Sequence, residues 1–111
     1  MPRPKKTRFV SAYPMITAFV PHGKDVTGEA LMTVEEFEAI RLSDFEHLDQ
    51  ESAAGMMGVS RHTFGRLLSS GRSIVADALV TGKILKIDGG EYAFRGGGQG
   101  RRRRGGGRGR R

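Results

Sequence analysis

The 111-residue chain contains no cysteine, so it can form neither a disulfide nor a thiolate metal site. No apolar run is long enough to cross a bilayer, and the opening Met-Pro-Arg-Pro-Lys-Lys is not followed by the apolar stretch of a secretion signal. A cytoplasmic protein without membrane contact is expected. The chain also lacks a nucleophile elbow, paired carboxylates at catalytic spacing and a Gly-rich loop set between a strand and a helix. The glycines at 96–98 and 105–107 lie in a tail that cannot hold a phosphate in a fixed nest. His22, His47 and His62 are far apart without ligand spacing and read as unrelated surface or structural residues. The expectation is no enzyme, no cofactor and no metal.

Acid is absent from both ends. Residues 1–8 hold Arg3, Lys5, Lys6 and Arg8, and residues 95–111 hold eight arginines, so the ends carry twelve of the nineteen basic residues. Residues 9–94 carry seven basic and twelve acidic residues, a balance of −5 inside a chain of net charge +7. Three parts follow: a basic N-terminal arm (1–8), a folded domain (9–94) and an Arg/Gly-rich tail (95–111). Pro2 and Pro4 keep the first arm out of a helix, and both arms are expected to be disordered. Cations such as Arg101, Arg102, Arg103 and Arg104, alternating with glycine runs, suit phosphates and unpaired bases without prior folding. The acids Glu35, Glu36, Glu38, Asp44 and Glu46 gather on a helix ahead of the centre, which predicts a polarised surface.

What is present lies in the middle. From Asp49 to Arg72, Ala54, Gly58 and Phe64 stand four and six residues apart, flanked by Ala53, Met57, Val59 and Leu67. This is the pattern of two helices packed across a short turn, the helix-turn-helix. Asp49 suits an N-cap for a helix from Gln50 to about Met57, and Gly58 suits its left-handed end. Ser60 caps a second helix to about Val80, with Phe64, Leu67, Leu68, Ile74, Val75, Ala78 and Leu79 forming its core stripe. At about 100° per residue, the opposite side carries His62, Arg66, Ser69 and Ser73, with Arg61, Gly65 and Arg72 at its margins. Arg can fork onto guanine O6 and N7, and Ser and His can reach base edges or phosphates. Ser60, Arg61, His62, Thr63, Arg66, Ser69, Ser70, Arg72 and Ser73 are therefore the candidate DNA-binding residues, with Arg3, Lys5, Lys6, Arg8 and Arg101 to Arg104 on the backbone.

The remaining elements are fewer. Phe9 to Pro21 reads as one short strand near Met15 to Val20, followed by a loop through Gly28. Thr33 and Glu36 form a capping box for a supporting helix to about Asp44, with Phe45 and Leu48 closing the gap to the next helix. Lys83 to Asp88 reads as a strand, and Gly89-Gly90 as the turn of a closing β-hairpin before Glu91 to Phe94. The expected fold is mainly α, a tri-helical core with an N-terminal strand and a C-terminal hairpin.

Met1 to Lys6, Leu31 to Leu42, Met57 to Leu68 and Ala76 to Val80 with Gly82-Lys83 resemble a small prokaryotic family of predicted DNA-binding proteins, domain of unknown function 134. The resemblance spans about residues 1–92. The centre is similar to region 4 of bacterial sigma factors, which would place Thr63, Phe64 and Arg66 in a helix that reads a promoter element. Family members carry a cysteine near position 7 and cysteine or histidine motifs further on, whereas Thr7 stands here, so a sensory metal is not implied. The tail resembles RGG-type segments. Together these imply a sequence-specific double-stranded DNA-binding protein, a transcription regulator acting as a homodimer because one helix reads few base pairs. RNA is the alternative partner, bound by the tail while the helical unit docks polymerase or another protein. A winged variant, with the hairpin as wing, is a third reading.

Overall fold

Short-range capping sets the helices of this protein, and strand pairing over long sequence distances sets how they are stacked. A computed structural model describes residues 7–23 and 25–95. Arg3, Lys5, Lys6 and Arg101 to Arg104 lie outside the described residues, as does the expected disorder of the arms. In chain order the elements are β1 (Phe9–Val10), β2 (Ala18–Phe19), β3 (Glu29–Met32), α1 (Val34–Ile40) running into a π-helical turn (Arg41–Phe45), α2 (Gln50–Met57), α3 (Arg61–Thr81), β4 (Ile84–Ile87) and β5 (Ala93–Phe94).

Each helix begins where a side chain answers a backbone N–H that has no partner inside the helix. The Glu36 N–H donates to Thr33 Oγ1 at 3.2 Å, and the Thr33 N–H donates to Glu36 Oε1 at 2.9 Å, completing the capping box. The Ser52 N–H donates to Asp49 Oδ1 at 2.7 Å and the Thr63 N–H to Ser60 Oγ at 3.0 Å. Gly58 and Gly82 end α2 and α3 with φ of 70° and 81°, the left-handed conformation that a Cβ disfavours.

Two apolar clusters fill the interior. Ala39, Leu42, Ala53, Ala54, Met57, Phe64, Leu67 and Leu68 lock α1, α2 and α3 together. Val10, Met32, Val34, Ile87 and Tyr92 form the second, between α1, α3 and the strands, and Ile40 packs against both. At Gly71 α3 approaches α1 closely: a Cβ there would lie 3.0 Å from Ile40 Cδ1 and 3.2 Å from the Glu36 carbonyl oxygen. Gly71→Val should therefore destabilise the fold by about 1–3 kcal/mol through overpacking, read as a lower urea midpoint. An unchanged midpoint would show that the crossing can open without cost.

The strands correct the expected mainly α class. The described residues form a mixed α/β structure in which β4 lies between β2, antiparallel to it, and β3, parallel to it, while β1 pairs with β5 in parallel. β3 falls in a stretch read as loop and helix approach, and the N-terminal strand shrinks to Ala18–Phe19 with β1 added before it. The closing hairpin does not form, since β4 and β5 pair with different strands, and the wing reading falls with it. Gly89 and Gly90, at φ of 79° and 106°, instead turn the chain across the start of α1, where the Val34 N–H donates to the Gly89 carbonyl at 3.0 Å. A Cβ at Gly90 would collide with Glu35 Oε1. Phe45 is 75% exposed and closes no gap, and Leu79, assigned to the core stripe, is 79% exposed.

Candidate nucleic-acid interface

The α2–turn–α3 unit presents one side of α3 outward because its other side is consumed by the core. Phe64 is fully buried, with Leu67 and Leu68 on the same face, so residues about two positions away, roughly 200° round the helix, face solvent. Gln50, Arg61, His62, Gly65, Arg66, Ser69, Ser70, Ser73 and Ile74 line an open concavity of about 660 Å³ on that side. Six of the nine candidate DNA-binding residues thus come together. Gln50 was missed by the sequence argument, although its place as the first residue of α2, one helical position past Asp49, is the signal that would have found it.

Ser60, Thr63 and Arg72 stand apart from this surface. Ser60 Oγ donates to Thr63 Oγ1 at 3.1 Å, so both hydroxyls belong to the cap of α3. Arg72 forks onto Asp44, Nε to Oδ2 at 3.1 Å and Nη2 to Oδ1 at 2.6 Å. That fork, the largest cause, holds the Asp44 carboxyl below its ordinary value. Ser70 lines the concavity, but its hydroxyl donates to Glu36 Oε2 at 2.7 Å. Arg61 and Arg66 are exposed and make no ion pair within 4 Å among the described residues. The groups left to meet a partner are Arg61, His62, Arg66, Ser69, Ser73 and Gln50.

The expected acidic surface on the supporting helix is largely absent, because its carboxylates are buried or paired. Glu35 and Glu38 are 3% and 1% exposed. Glu38 accepts from Arg41 Nε at 3.0 Å, Arg41 Nη2 at 3.1 Å, the Ser11 N–H at 3.1 Å and Ser11 Oγ at 2.9 Å, and Arg95 Nη1 lies 3.6 Å away. Glu35 Oε2 accepts from Arg8 Nη1 and from the Glu91 N–H, each at 3.1 Å. Glu46 accepts from Arg41 Nη1 at 2.9 Å. A buried carboxylate is tolerated only when it is paired and hydrogen-bonded. These contacts supply that condition for Glu38.

The same contacts root both basic ends beside the helix-turn-helix. Arg8, assigned to the N-terminal arm, is half-buried on Glu35, and Arg95 donates to the Met56 carbonyl at 3.3 Å and to Ser11 Oγ. β1 lies against the turn itself: a Cβ on Gly58 would sit 2.9 Å from Phe9 Cδ2. Glycine is therefore required at 58 by both its φ and its neighbour. Among the described residues no three His, Cys, Asp or Glu side chains converge on a metal-sized site, and no helix is long and apolar enough to cross a membrane.

Comparison with known proteins places these features in a family setting. The family model described as "Protein of unknown function DUF134" matches residues 1–95. The chain is similar to a UPF0251 protein of Thermoanaerobacter sp. (strain X514), 52% identical over 94 residues that cover 83% of each chain. A UPF0251 protein of Caldanaerobacter subterraneus subsp. tengcongensis is 50% identical over 98 residues, 86% of this chain and 83% of the relative. One of Moorella thermoacetica is 50% identical over 94 residues, 83% of this chain and 63% of the relative. No solved structure matches the chain.

Proposed function

From a chain that belongs to the DUF134 family of uncharacterised proteins, we propose a sequence-specific double-stranded DNA-binding protein that regulates transcription and carries no catalytic activity. The observation that carries this reading is the pairing pattern of the cations. Arg41 and Arg72 are held by carboxylates of the supporting helix and its π-helical turn, while Arg61 and Arg66 on the outward side of α3 have no counter-ion within 4 Å among the described residues. Among the described residues Arg8, Arg41, Arg72 and Arg95 are neutralised and Arg61 and Arg66 on one helical face are not, which leaves that face ready for an anionic partner.

In this reading the first three turns of α3 enter the major groove. Arg61 and Arg66 fork onto guanine O6 and N7, His62, Ser69 and Ser73 reach flanking edges or phosphates, and Gln50 at the start of α2 meets the backbone. A docking like that of sigma region 4 would have buried Phe64 brace the helix from below while Ser60 caps it. Arg8 and Arg95, where the basic ends join the fold, stand beside the turn, and the cations of those ends would follow the flanking phosphates.

The direct test is selection of bound sequences from a random duplex pool at physiological salt, using protein that lacks residues 96–111. An enriched motif is expected, and a pool that stays random would overturn the reading. The deletion spares Arg95, which the fold uses, and removes seven arginines. If half of them neutralise phosphates, the slope of log affinity against log salt should flatten by about 3, at roughly 0.9 per contact. Sequence preference should stay the same. The Arg/Gly composition of the tail supports a second reading, RNA association, under which the same deletion abolishes nucleic-acid binding altogether.

A further inference from the structure

The apolar stripe of α3 outruns the elements that cover it. α3 is 21 residues long, whereas α1 and α2 span 7 and 8, so its last two turns extend beyond the tri-helical core. Leu79 lies on the same side of the helix as Leu68 and Val75 at about 100° per residue, yet it is 79% exposed, and Val80 beside it is 83% exposed. Across from them runs β2, an edge strand whose Phe19, followed by Val20, is 50% exposed and Val20 61%. Between the strand and the helix lies a groove of about 300 Å³, floored by Val75, Ala78 and Leu85.

We infer that this surface is where a second copy of the chain docks, α3 against α3 about a two-fold axis near Leu79. The surface carries both halves of a self-complementary contact: an apolar ridge, Leu79 and Val80, and beside it a groove of matching character. That is what an isologous interface requires, since each copy must present to its partner what it receives. The chain's own tail cannot fill the groove, because residues 96–111 contain only arginine, glycine and glutamine. Phe19, Val20, Leu79 and Val80 together offer an apolar area on the order of 400 Å² per copy, taking about 60–120 Å² per large side chain. That is about half of the roughly 800 Å² per partner of a stable interface, the remainder being polar rim. Lys83 and Asp77, paired at 2.8 Å, stand at that rim.

The placement deepens the DNA-binding reading and its spacing rests on it. Arg66 and Leu79 are thirteen residues apart on one helix, roughly 20 Å. A two-fold axis near Leu79 therefore sets the two reading ends up to roughly 40 Å apart, which spans the 34–36 Å between half-sites one helical turn apart, about 10 base pairs.

Sedimentation equilibrium of the full chain without DNA tests the surface independently of any nucleic acid. A dimer is expected, with Leu79→Asp and Val80→Asp each giving a monomer of unchanged far-UV circular dichroism. A monomeric wild-type chain, or a dimer that survives both substitutions with the fold intact, overturns the inference. Where a charged variant fails to fold, Val80→Cys serves instead, since the chain has no other cysteine. Oxidation with diamide should link it into a covalent dimer and leave Glu51→Cys, on exposed α2, unlinked; equal linking of both, or of neither, counts against the surface. A monomeric chain that still enriches a DNA motif defeats the dimer alone, and a dimer that enriches none defeats the DNA reading alone.

Discussion

Glu38→Ala is expected to cost the fold about 3 kcal/mol, a large fraction of the stability of a domain this size. The side chain is 1% exposed and holds together three segments distant in sequence: Ser11 after β1, Arg41 at the end of α1 and Arg95 after β5. Removing it leaves the Ser11 N–H without its acceptor, takes the carboxylate away from Arg95 and leaves Arg41 with its contact to Glu46 alone. The cost is set at the lower end for a broken buried pair because both arginines can turn towards water. Denaturant unfolding at neutral pH measures it, and a loss under about 1 kcal/mol would mean that the network is replaceable by solvent.

The same carboxylate makes the fold sensitive to acid. Burial alone would raise the Glu38 pKa, but the hydrogen bonds and charge of Arg41 with those of Ser11 outweigh it and hold the group below its ordinary value. A group depressed in the folded state contributes stability that is fully present above its unfolded pKa, about 4.3, and is lost as pH falls through the folded value. Stability should therefore drop on acidification below about pH 4, and more in the native chain than in Glu38→Gln, which has no proton to take up there. Parallel acid limbs for the two proteins would sever the link between Glu38 and pH.

The double substitution Arg61→Ala with Arg66→Ala is expected to lower affinity for a selected DNA site by more than 100-fold while leaving the thermal midpoint within a few degrees. Each arginine that reads a base is worth about 1–3 kcal/mol, and a tenfold change in affinity corresponds to about 1.4 kcal/mol. Neither side chain supports the fold by an ion pair within 4 Å among the described residues, so their loss should fall on binding. Arg72→Ala supplies the contrast, since that guanidinium is committed to Asp44. It should leave sequence preference unchanged and shift stability by no more than about 1 kcal/mol, as exposed pairs do. Loss of preference in Arg72→Ala, with the double variant unaffected, would reassign the reading face to the other flank of α3.

Which parts could be read in advance follows the range of the interactions. The helix starts at Thr33, Asp49 and Ser60 and the ends at Gly58 and Gly82 rest on contacts within about four residues, and each is visible as a residue type at a fixed offset. The outward face of α3 follows from the same periodicity. The strands at Ala18–Phe19 and Ile84–Ile87 fall within segments legible as strand, but the sheet pairing was illegible because β1, β2 and β5 are two residues long, too short to show alternation, and their partners lie far along the chain. Glu35 and Glu38 read as surface because a charge is normally solvated, and only Arg8, Arg41, Arg95 and Ser11, brought in from elsewhere, make their burial affordable. Leu79 read as core because the stripe continues through it, whereas the cover at this end of α3 lies over Ala78 and leaves the Leu79 flank open.

The sequence by itself determined three capped helices, the glycine turn between the last two, the face of α3 that looks outward and the concentration of positive charge at the two ends. Tertiary structure alone decided that β4 sits between β2 and β3, that Gly89 and Gly90 cross the start of α1 instead of turning a hairpin, and that the acids of α1 anchor Arg8 and Arg95 beside the helix-turn-helix. The physical reason is sequence separation. A cap is satisfied three residues away, but Glu38 meets Ser11 across 27 positions, Glu91 meets Glu35 across 56 and Arg95 meets Ser11 across 84, contacts that exist only once the chain has closed on itself.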